Sequence, residues 1–309
     1  MDKQPRVDIV IPVYNRAAVV TATLDSVAAQ TARPLRLILV DNNSTDNTAE
    51  VLQRWKDVHA SDDFKVDIIS EKHPGAAAAR NAGLTQASAP WVMFFDSDDL
   101  MRPGHVERAL KVADEHPEAD IIVWDFIYHA ADGREHRRPF IMSDMLYNNI
   151  MHSSFSTQRF MVRTELVRRV GGWLTDGRMF DDCELGVRLL LQNPVVVHAG
   201  REITVDVLET PGSLMTASEG RVQRMKVALD SIRQNLPDDK KHWADLQRLI
   251  MVSTWARHDP EAPALARKLL AAQSAGRRLL WRLLRSYLLA GGRGAARIYR
   301  LITTLKFYI

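Results

Sequence analysis

The chain has 309 residues, of which 46% are hydrophobic and 26% charged, ordinary proportions for a soluble globular protein with room for a sizeable core. Its one cysteine, Cys183, excludes an intramolecular disulfide and a cysteine cluster for zinc. The net charge of +3 hides an asymmetry: from residue 262 onward there are ten Lys or Arg and no Asp or Glu, which leaves 31 basic and 38 acidic side chains, a net of −7, in the first 261 residues. An acidic body with a basic tail marks the C-terminus as an interaction segment.

The first half alternates strand and helix signals. VDIVIPV (7–13) reads as a buried strand, too short to span a membrane. The N-terminus lacks the pattern of a secretory signal, and no run of about 18 apolar residues occurs elsewhere, so the expected location is the cytoplasm. A helical pattern follows with Val20, Leu24 and Val27 on one face. RLILVD (36–41) is a second strand, and Asp46 or Ser44 is expected to cap the helix that runs through Trp55. KVDIIS (65–70) is a third strand, and PGAAAARNAGLTQA (74–87) an alanine-rich helix opened by Pro74 and Gly75. WVMFFD (91–96) is a fourth strand, Pro103 opens a helix to about Glu115, and ADIIVWDF (119–126) is a fifth strand. This alternation predicts an α/β fold: a Rossmann-like, mostly parallel central sheet flanked by helices. Ligands of such sheets gather at the carboxyl ends of the strands, where Asp41 and Asp96 stand. Residues 127–215 are less regular, with Gly171-Gly172, a helix over 181–191 and β-like runs PVVVHAG and EITVDVL. From Thr216 the pattern is helical, with breaks near Pro237, Pro260, Gly276 and Gly291-Gly292.

Three acidic groupings carry chemistry. In WVMFFDSDDL (91–100) an apolar run ends abruptly in Asp96, Ser97, Asp98 and Asp99. Crowded like charges repel, so a positive group is expected there, and a divalent cation is the natural one. A turn rich in capping residues would carry the same letters. Asp41, acceptor-only, can pair with a ring N–H of a nucleotide base, without choosing among uracil, thymine and guanine. Asp181 and Asp182 crowd each other at a helix start, which raises one pKa and suits a general base; ordinary acidic capping is the alternative.

The segments VDIVIPVYNRAAVVTATLDSVAAQT, LILVDNNSTDNT, PGAAAARNAGL and VMFFDSDD occur in order, and their spacing resembles that of family 2 glycosyltransferases of the GT-A fold. The resemblance implies a GT-A catalytic domain over 1–215, with a nucleotide-sugar-binding half (1–125) and an acceptor-binding half (126–215), followed by a helical C-terminal region (216–309). It implies that Pro12, Val13, Tyr14 and Asn15 lie along the base and ribose, that Asp41 accepts from the base, commonly uracil, and that Arg80 supplies a cation to the nucleotide. Asp98 is implied as the direct ligand of Mn²⁺ or Mg²⁺. Asp96 is implied as a contact to the ribose or, through water, to the metal, with Ser97 beside it, and Asp99 as a contact to the transferred sugar. MFDDCELGVRLLL (179–191) resembles the start of the catalytic helix and implies Asp182 as base, with Asp181 as the alternative; Cys183 stands where an aromatic is usual. In GGW (171–173), Trp173 either stacks on a sugar face or fills core. ETPGSLMT resembles a segment that often has His before Pro-Gly-Ser; Thr210 stands there, with His198 as a substitute contact.

The implied activity is inverting, metal-dependent transfer of a single sugar, a hexosyl group, from a nucleotide sugar, UDP-sugar favoured, to a glycan or lipid-linked acceptor in surface polysaccharide or glycoconjugate assembly. Processive synthases of the family carry membrane helices and a QxxRW signature; QRW at 53–55 has the wrong spacing. A nucleotidyltransferase would need a Gly-rich basic loop after the first strand, and PVYNRAAV has no glycine. A non-catalytic nucleotide-sugar-binding protein would not need both Asp98 and Asp182. In the tail, Arg278, Arg282 and Arg285 form one stripe opposite Leu280, Leu283, Leu284 and Tyr287, and Arg297 and Arg300 repeat the pattern against Ile298, Leu301 and Ile302. Such a helix over 277–309 either lies on an anionic membrane, here the inner face of the plasma membrane, or packs on the catalytic domain or the second subunit of a homodimer. No aromatic-basic platform accompanies the charge, so nucleic acid is not an expected partner.

Overall fold

The computed structural model describes residues 4–177, 179–210, 221–254 and 257–304. The first apolar run forms β1 (Val7–Val13), buried along its whole length as a central strand covered on both faces must be. It is followed by α1 (Val20–Ala28), β2 (Leu35–Asp41), α2 (Thr48–His59), β3 (Phe64–Ser70), α3 (Ala76–Gln86), β4 (Trp91–Phe94), β5 (Leu100–Met101) and α4 (His105–Glu115). Neither Asp46 nor Ser44 is the cap of α2, whose N-cap position is Asn47. Asp46 Oδ1 instead accepts from the backbone N of Thr48 at 3.0 Å, and Ser44 Oγ accepts from the backbone N of Asn15 at 3.0 Å.

The run 119–126 is not one strand. It splits into β6 (Ile121–Val123) and β7 (Phe126–His129), which belong to different sheets. Between them the buried Asp125 accepts from Arg137 and from the backbone N of Phe140, and pairs with His198. A buried carboxylate needs several partners, and the bend is where it finds them. The chain continues through β8 (Glu135–Arg138), α5 (Met145–His152), β9 (Phe160–Arg163), α6 (Thr164–Arg169), α7 (Asp181–Leu190), β10 (Val196–His198) and β11 (Val205–Leu208). Among the described residues, five helices close it: α8 (Arg221–Asn235), α9 (Lys241–Thr254), α10 (Ala262–Ala271), α11 (Ala275–Leu289) and α12 (Ala295–Thr304). Gly276 sits inside the first turn of α11 rather than at the break before it.

The main sheet has the order β10-β6-β9-β4-β1-β2-β3. All adjacent pairs are parallel except those of β9, which runs antiparallel to both β4 and β6. A second sheet has the order β5-β11-β7-β8. Successive strand residues face opposite sides, so Ile9 and Ile11 join one core with Leu24, Leu52 and Val106, while Val10 joins another with Ala79, Leu84 and Leu185. The helix α3 packs tightly on β1 because residue 83 is glycine: a Cβ there would stand 2.3 Å from Val10 Cγ1. A third core joins α5 and α7 to the C-terminal helices through Ile150, Val187, Leu229, Leu249 and the fully buried Trp281. Among the described residues, no helix is long and apolar enough to cross a membrane.

Candidate active site

Because β1, β2 and β4 are parallel, the chain leaves all three on the same side of the sheet. Asn15, with φ of 50°, follows β1 and holds the loop after β2: its Oδ1 accepts from the backbone N of Thr45 at 2.7 Å. Asparagine takes this left-handed conformation at little cost. Asn42 ties the end of β2 to the entry of α3, donating to the carbonyls of Glu71 and His73 and accepting from the backbone N of Gly75. Asp41 ends β2, half-buried, and its Oδ1 accepts weakly from Ser44 N at 3.3 Å. Tyr14 is 55% exposed beside this loop. Pro12 and Val13 are buried, and the Val13 carbonyl accepts from Asn42 N at 2.8 Å.

The acidic turn after β4 meets the start of α7 through Arg80. The residue is 5% exposed. Its Nη2 donates to Asp96 Oδ1 at 2.7 Å, its Nη1 donates to Asp181 Oδ2 at 3.0 Å, and it lies 4.4 Å from the centroid of the Trp173 ring. It therefore spans two carboxylates rather than reaching out to a nucleotide, which corrects the expectation for it. Trp173 is 2% exposed and also packs edge-on against Phe94, so it is a core residue and not an open stacking platform. Its placement depends on Asn81, which donates to the Trp173 carbonyl and accepts from its backbone N. The preceding Gly172, at φ of 71°, leaves room for that amide, since a Cβ would come within 2.5 Å of Asn81 Oδ1.

Asp99 is also buried. Its Oδ1 accepts from the backbone N of Leu208 at 2.9 Å and its Oδ2 from Gln158 Nε2, so no free face is left for a transferred sugar. Ser97 is buried too and offers little surface to a ligand. Gln158 Nε2 also donates to Asp96 Oδ2 at 2.8 Å. Asp98 stands differently. Its Oδ2 accepts from Thr210 Oγ1 at 2.6 Å and faces Arg16 Nη2 at 3.6 Å, while its Oδ1 has no partner among the described residues.

Burial sets the titration of this cluster. It lifts Asp182 to about 7, with the Asp181 charge adding to the rise, while the backbone N of Cys183 (2.6 Å) and Arg80 oppose it. Asp181 is raised by burial against the pull of Arg80. Asp99 is raised well above the usual carboxylate range by burial and by Asp96.

Among the described residues, no group of three or more His, Cys, Asp or Glu side chains is arranged to hold a metal. The donors at Asp98 and Thr210 are all oxygen. That set fits a hard cation that takes its other ligands from water and phosphate, as Mg²⁺ and Mn²⁺ do. His198 does not join it: its Nε2 pairs with Asp125 Oδ1 at 2.9 Å and its Nδ1 accepts from Gly200 N at 3.0 Å. Cys183 is fully buried and donates to the Asn149 carbonyl. Pro211, Gly212 and Ser213 lie outside the described residues. A cavity of about 1270 Å³ beside α4 is lined by Arg33, Glu107, Arg108 and Lys111 among others, and none of the site carboxylates lines it.

Two contributors are not among the residues that the sequence motifs single out. Gln158 lies in the 3-10 turn Thr157–Arg159, inside the irregular region, where no local pattern marks it. Arg16 directly follows PVYN, so its position beyond a strand end was the available signal.

A mostly parallel sheet with an acidic turn after β4, facing an acidic helix start, defines a GT-A glycosyltransferase. The model of Glycosyl transferase family 2 matches residues 8–173, more than half of the chain, and the chain belongs to this family. The Glycosyl transferase family group 2 model matches residues 91–291. An uncharacterized glycosyltransferase of Haemophilus influenzae is 27% identical over 241 residues, 74% of this chain and 76% of the relative. Among solved structures, S. aureus TarS 1–349 in complex with UDP-GlcNAc is similar with a TM-score of 0.65 and 18% identity, over 98% of this chain and 93% of that one. The mannosyltransferase PcManGT from Pyrobaculum calidifontis, in complex with GDP-Man and Mn²⁺, gives a TM-score of 0.61 and 21% identity over 97% and 88%. At these identities the likeness is one of fold.

Proposed function

We propose that this glycosyltransferase moves a single sugar, with inversion, from a nucleotide-sugar donor to a glycan or lipid-linked acceptor, and that it uses Mn²⁺ or Mg²⁺. The reading places it in surface polysaccharide or glycoconjugate assembly. The observation that carries it is the Arg80 bridge from Asp96, beyond β4, to Asp181, at the start of α7. Residues fit to hold a diphosphate and residues fit to take a proton are thereby held one side chain apart.

Asp182 is the base. Raised to about 7, it is poised near neutral pH, where a carboxylate is basic enough to help and about half ionised. It accepts the proton of the acceptor hydroxyl as that oxygen forms its bond to the anomeric carbon and the bond to the diphosphate breaks. A single displacement with one base inverts the configuration. Asp181 is the weaker candidate, because its carboxylate is already engaged by Arg80. Asp98 and Thr210 would hold the cation, whose chemistry is to neutralise charge on the departing diphosphate. Gln158 and Arg80 fix Asp96, and Asp41 and the exposed Tyr14 face the base and ribose. A UDP-sugar is the favoured donor, with Asp41 set to accept from the ring N–H of uracil. Asp41 alone would also accept from guanine.

The test is a panel of UDP-, GDP- and dTDP-sugars with Mn²⁺, read by thermal shift and by release of nucleoside diphosphate. Asp182→Asn is expected to keep the donor-induced shift and lose turnover by roughly 10²- to 10⁴-fold. Wild-type turnover in either Asp98→Ala or Asp182→Asn overturns the assignment.

A further inference from the structure

Helix α11 has two unlike faces. Leu280, Trp281, Leu284 and Leu288 are buried in the core shared with α9 and α12. On the other side Leu279, Leu283 and Tyr287 follow one another at i, i+4 and i+8, a spacing that lines them up along the helix. Both leucines are 61% exposed. The sequence pattern puts Leu280, Leu283, Leu284 and Tyr287 on one stripe; the structure sends Leu280 and Leu284 inward and Leu283 and Tyr287 outward. On α12, Leu301 is exposed as well.

The charge that α11 and α12 themselves carry is of one sign. Arg282 is exposed between the two leucines, and Arg293 and Arg297 are exposed on the turn and helix that follow. Among the described residues, none of these three guanidinium groups has a hydrogen bond or ion pair. Their neighbours differ: Arg278 donates to the carbonyls of Ala271 and Gln273, and Arg300 pairs with Asp144. Tyr287 fixes the geometry. Its hydroxyl donates to the Arg293 carbonyl and accepts from the Arg293 backbone N, and its ring lies so close over Gly292 that a Cβ there would come within 2.4 Å. The turn from α11 to α12 is thus pinned, and both helices hold their leucines and arginines in a set orientation.

We propose that this ridge docks the enzyme on an anionic lipid surface, with Leu279, Leu283 and Tyr287 entering the headgroup boundary and Arg282, Arg293 and Arg297 pairing with lipid phosphates. A second copy of the chain fits less well. An isologous contact would set these arginines against their own counterparts, and no acidic residue follows position 261 to relieve them. The inference does not rest on the identity of the donor or the acceptor.

Flotation of the full chain tests it, using vesicles of phosphatidylcholine alone and of phosphatidylcholine with about 30% phosphatidylglycerol. Wild type is expected to bind the anionic vesicles about tenfold or more above the neutral ones, with binding weakened by salt. Leu279→Ser/Leu283→Ser and Arg282→Gln/Arg297→Gln are each expected to lower binding about tenfold or more. These side chains are exposed, so both variants should keep the wild-type melting temperature and donor-induced thermal shift, which separates a failure here from a failure of the transferase reading. Equal binding to both vesicles, no binding, or binding unchanged by the substitutions overturns the proposal. So does a dimer, seen by sedimentation, that the leucine substitutions dissociate.

Discussion

Replacing Arg80 by methionine keeps the apolar stem and removes the guanidinium that joins Asp96 to Asp181. Two charge-assisted bonds, of 2.7 and 3.0 Å, disappear and leave two carboxylates facing a buried position. Breaking a buried pair by removing one partner costs about 3–5 kcal/mol. The carboxylates keep 29% and 21% side-chain exposure, so water recovers part of that loss and the lower end, about 3 kcal/mol, applies. At roughly 2 °C per kcal/mol for a chain of this size, the midpoint of thermal unfolding should fall by about 6 °C. A second effect has a definite sign. Arg80 holds the pKa of Asp182 down, so its removal pushes that group above about 7. The acidic limb of the pH profile of kcat/KM should move up by about one unit, and kcat/KM at neutral pH should fall up to about tenfold from protonation alone. Arg80→Lys restores the charge but only one of two directed bonds, and should lie between. Differential scanning calorimetry and kcat/KM from pH 5 to 9 read both effects. A melting point within about 1 °C of wild type, together with an unmoved limb, would refute the bridge as the link between the two sides of the site.

Asp98→Ala should abolish the additional thermal shift that Mn²⁺ gives to a bound nucleotide sugar while leaving the donor-free melting point nearly unchanged; retention of that shift would remove Asp98 as the cation's ligand. Asp182 has a folded-state pKa of about 7 against an ordinary 3.8, so the folded protein holds a proton that the unfolded chain releases. The associated stability is complete below about pH 4 and is lost as pH rises through about 7. Asp182→Asn, which stays neutral, should therefore gain stability over wild type as pH rises from 5 to 8, and a gap that does not widen in urea melts would contradict the shift. Gln158→Leu leaves Asp96 and Asp99 each short of a donor and should cost about 1–3 kcal/mol in denaturant unfolding. Gly83→Ala drives a methyl into Val10 and should cost about 1–3 kcal/mol by the same measurement, whereas a neutral result would mean that α3 can draw back from β1.

Much of the framework was legible because it rests on local physics. VDIVIPV could hardly be anything but a doubly covered strand, and it spans the predicted residues 7–13. The acidic turn after WVMFF and the pair Asp181-Asp182 announce charge that needs a partner. What the sequence could not convey was orientation. Asp99 and Trp173 have the composition of ligand contacts, yet tertiary packing turns both inward, one onto Leu208 and Gln158, the other onto Arg80 and Phe94. Nothing in the alanine-rich, near-uniform α3 tells an Arg80 aimed at a nucleotide from a buried one; only its ion pairs with Asp96 and Asp181 show which way it points. The split of ADIIVWDF into two sheets depends on donors to Asp125 that come from Arg137, Phe140 and His198, far along the chain and invisible to a local pattern.

The antiparallel strand β9 lies between β4 and β6, and Gln158, just before it, braces Asp96 and Asp99. A fragment ending at residue 125 would lose the filler of its own sheet, exposing raw edges on β4 and β6 along with two unbraced acids. The first 125 residues are thus not a portable module that could be grafted alone onto another scaffold. Any chimera has to carry residues 157–163 with it, and exchanges of specificity are better made in the loops that surround this splice than at a cut through it.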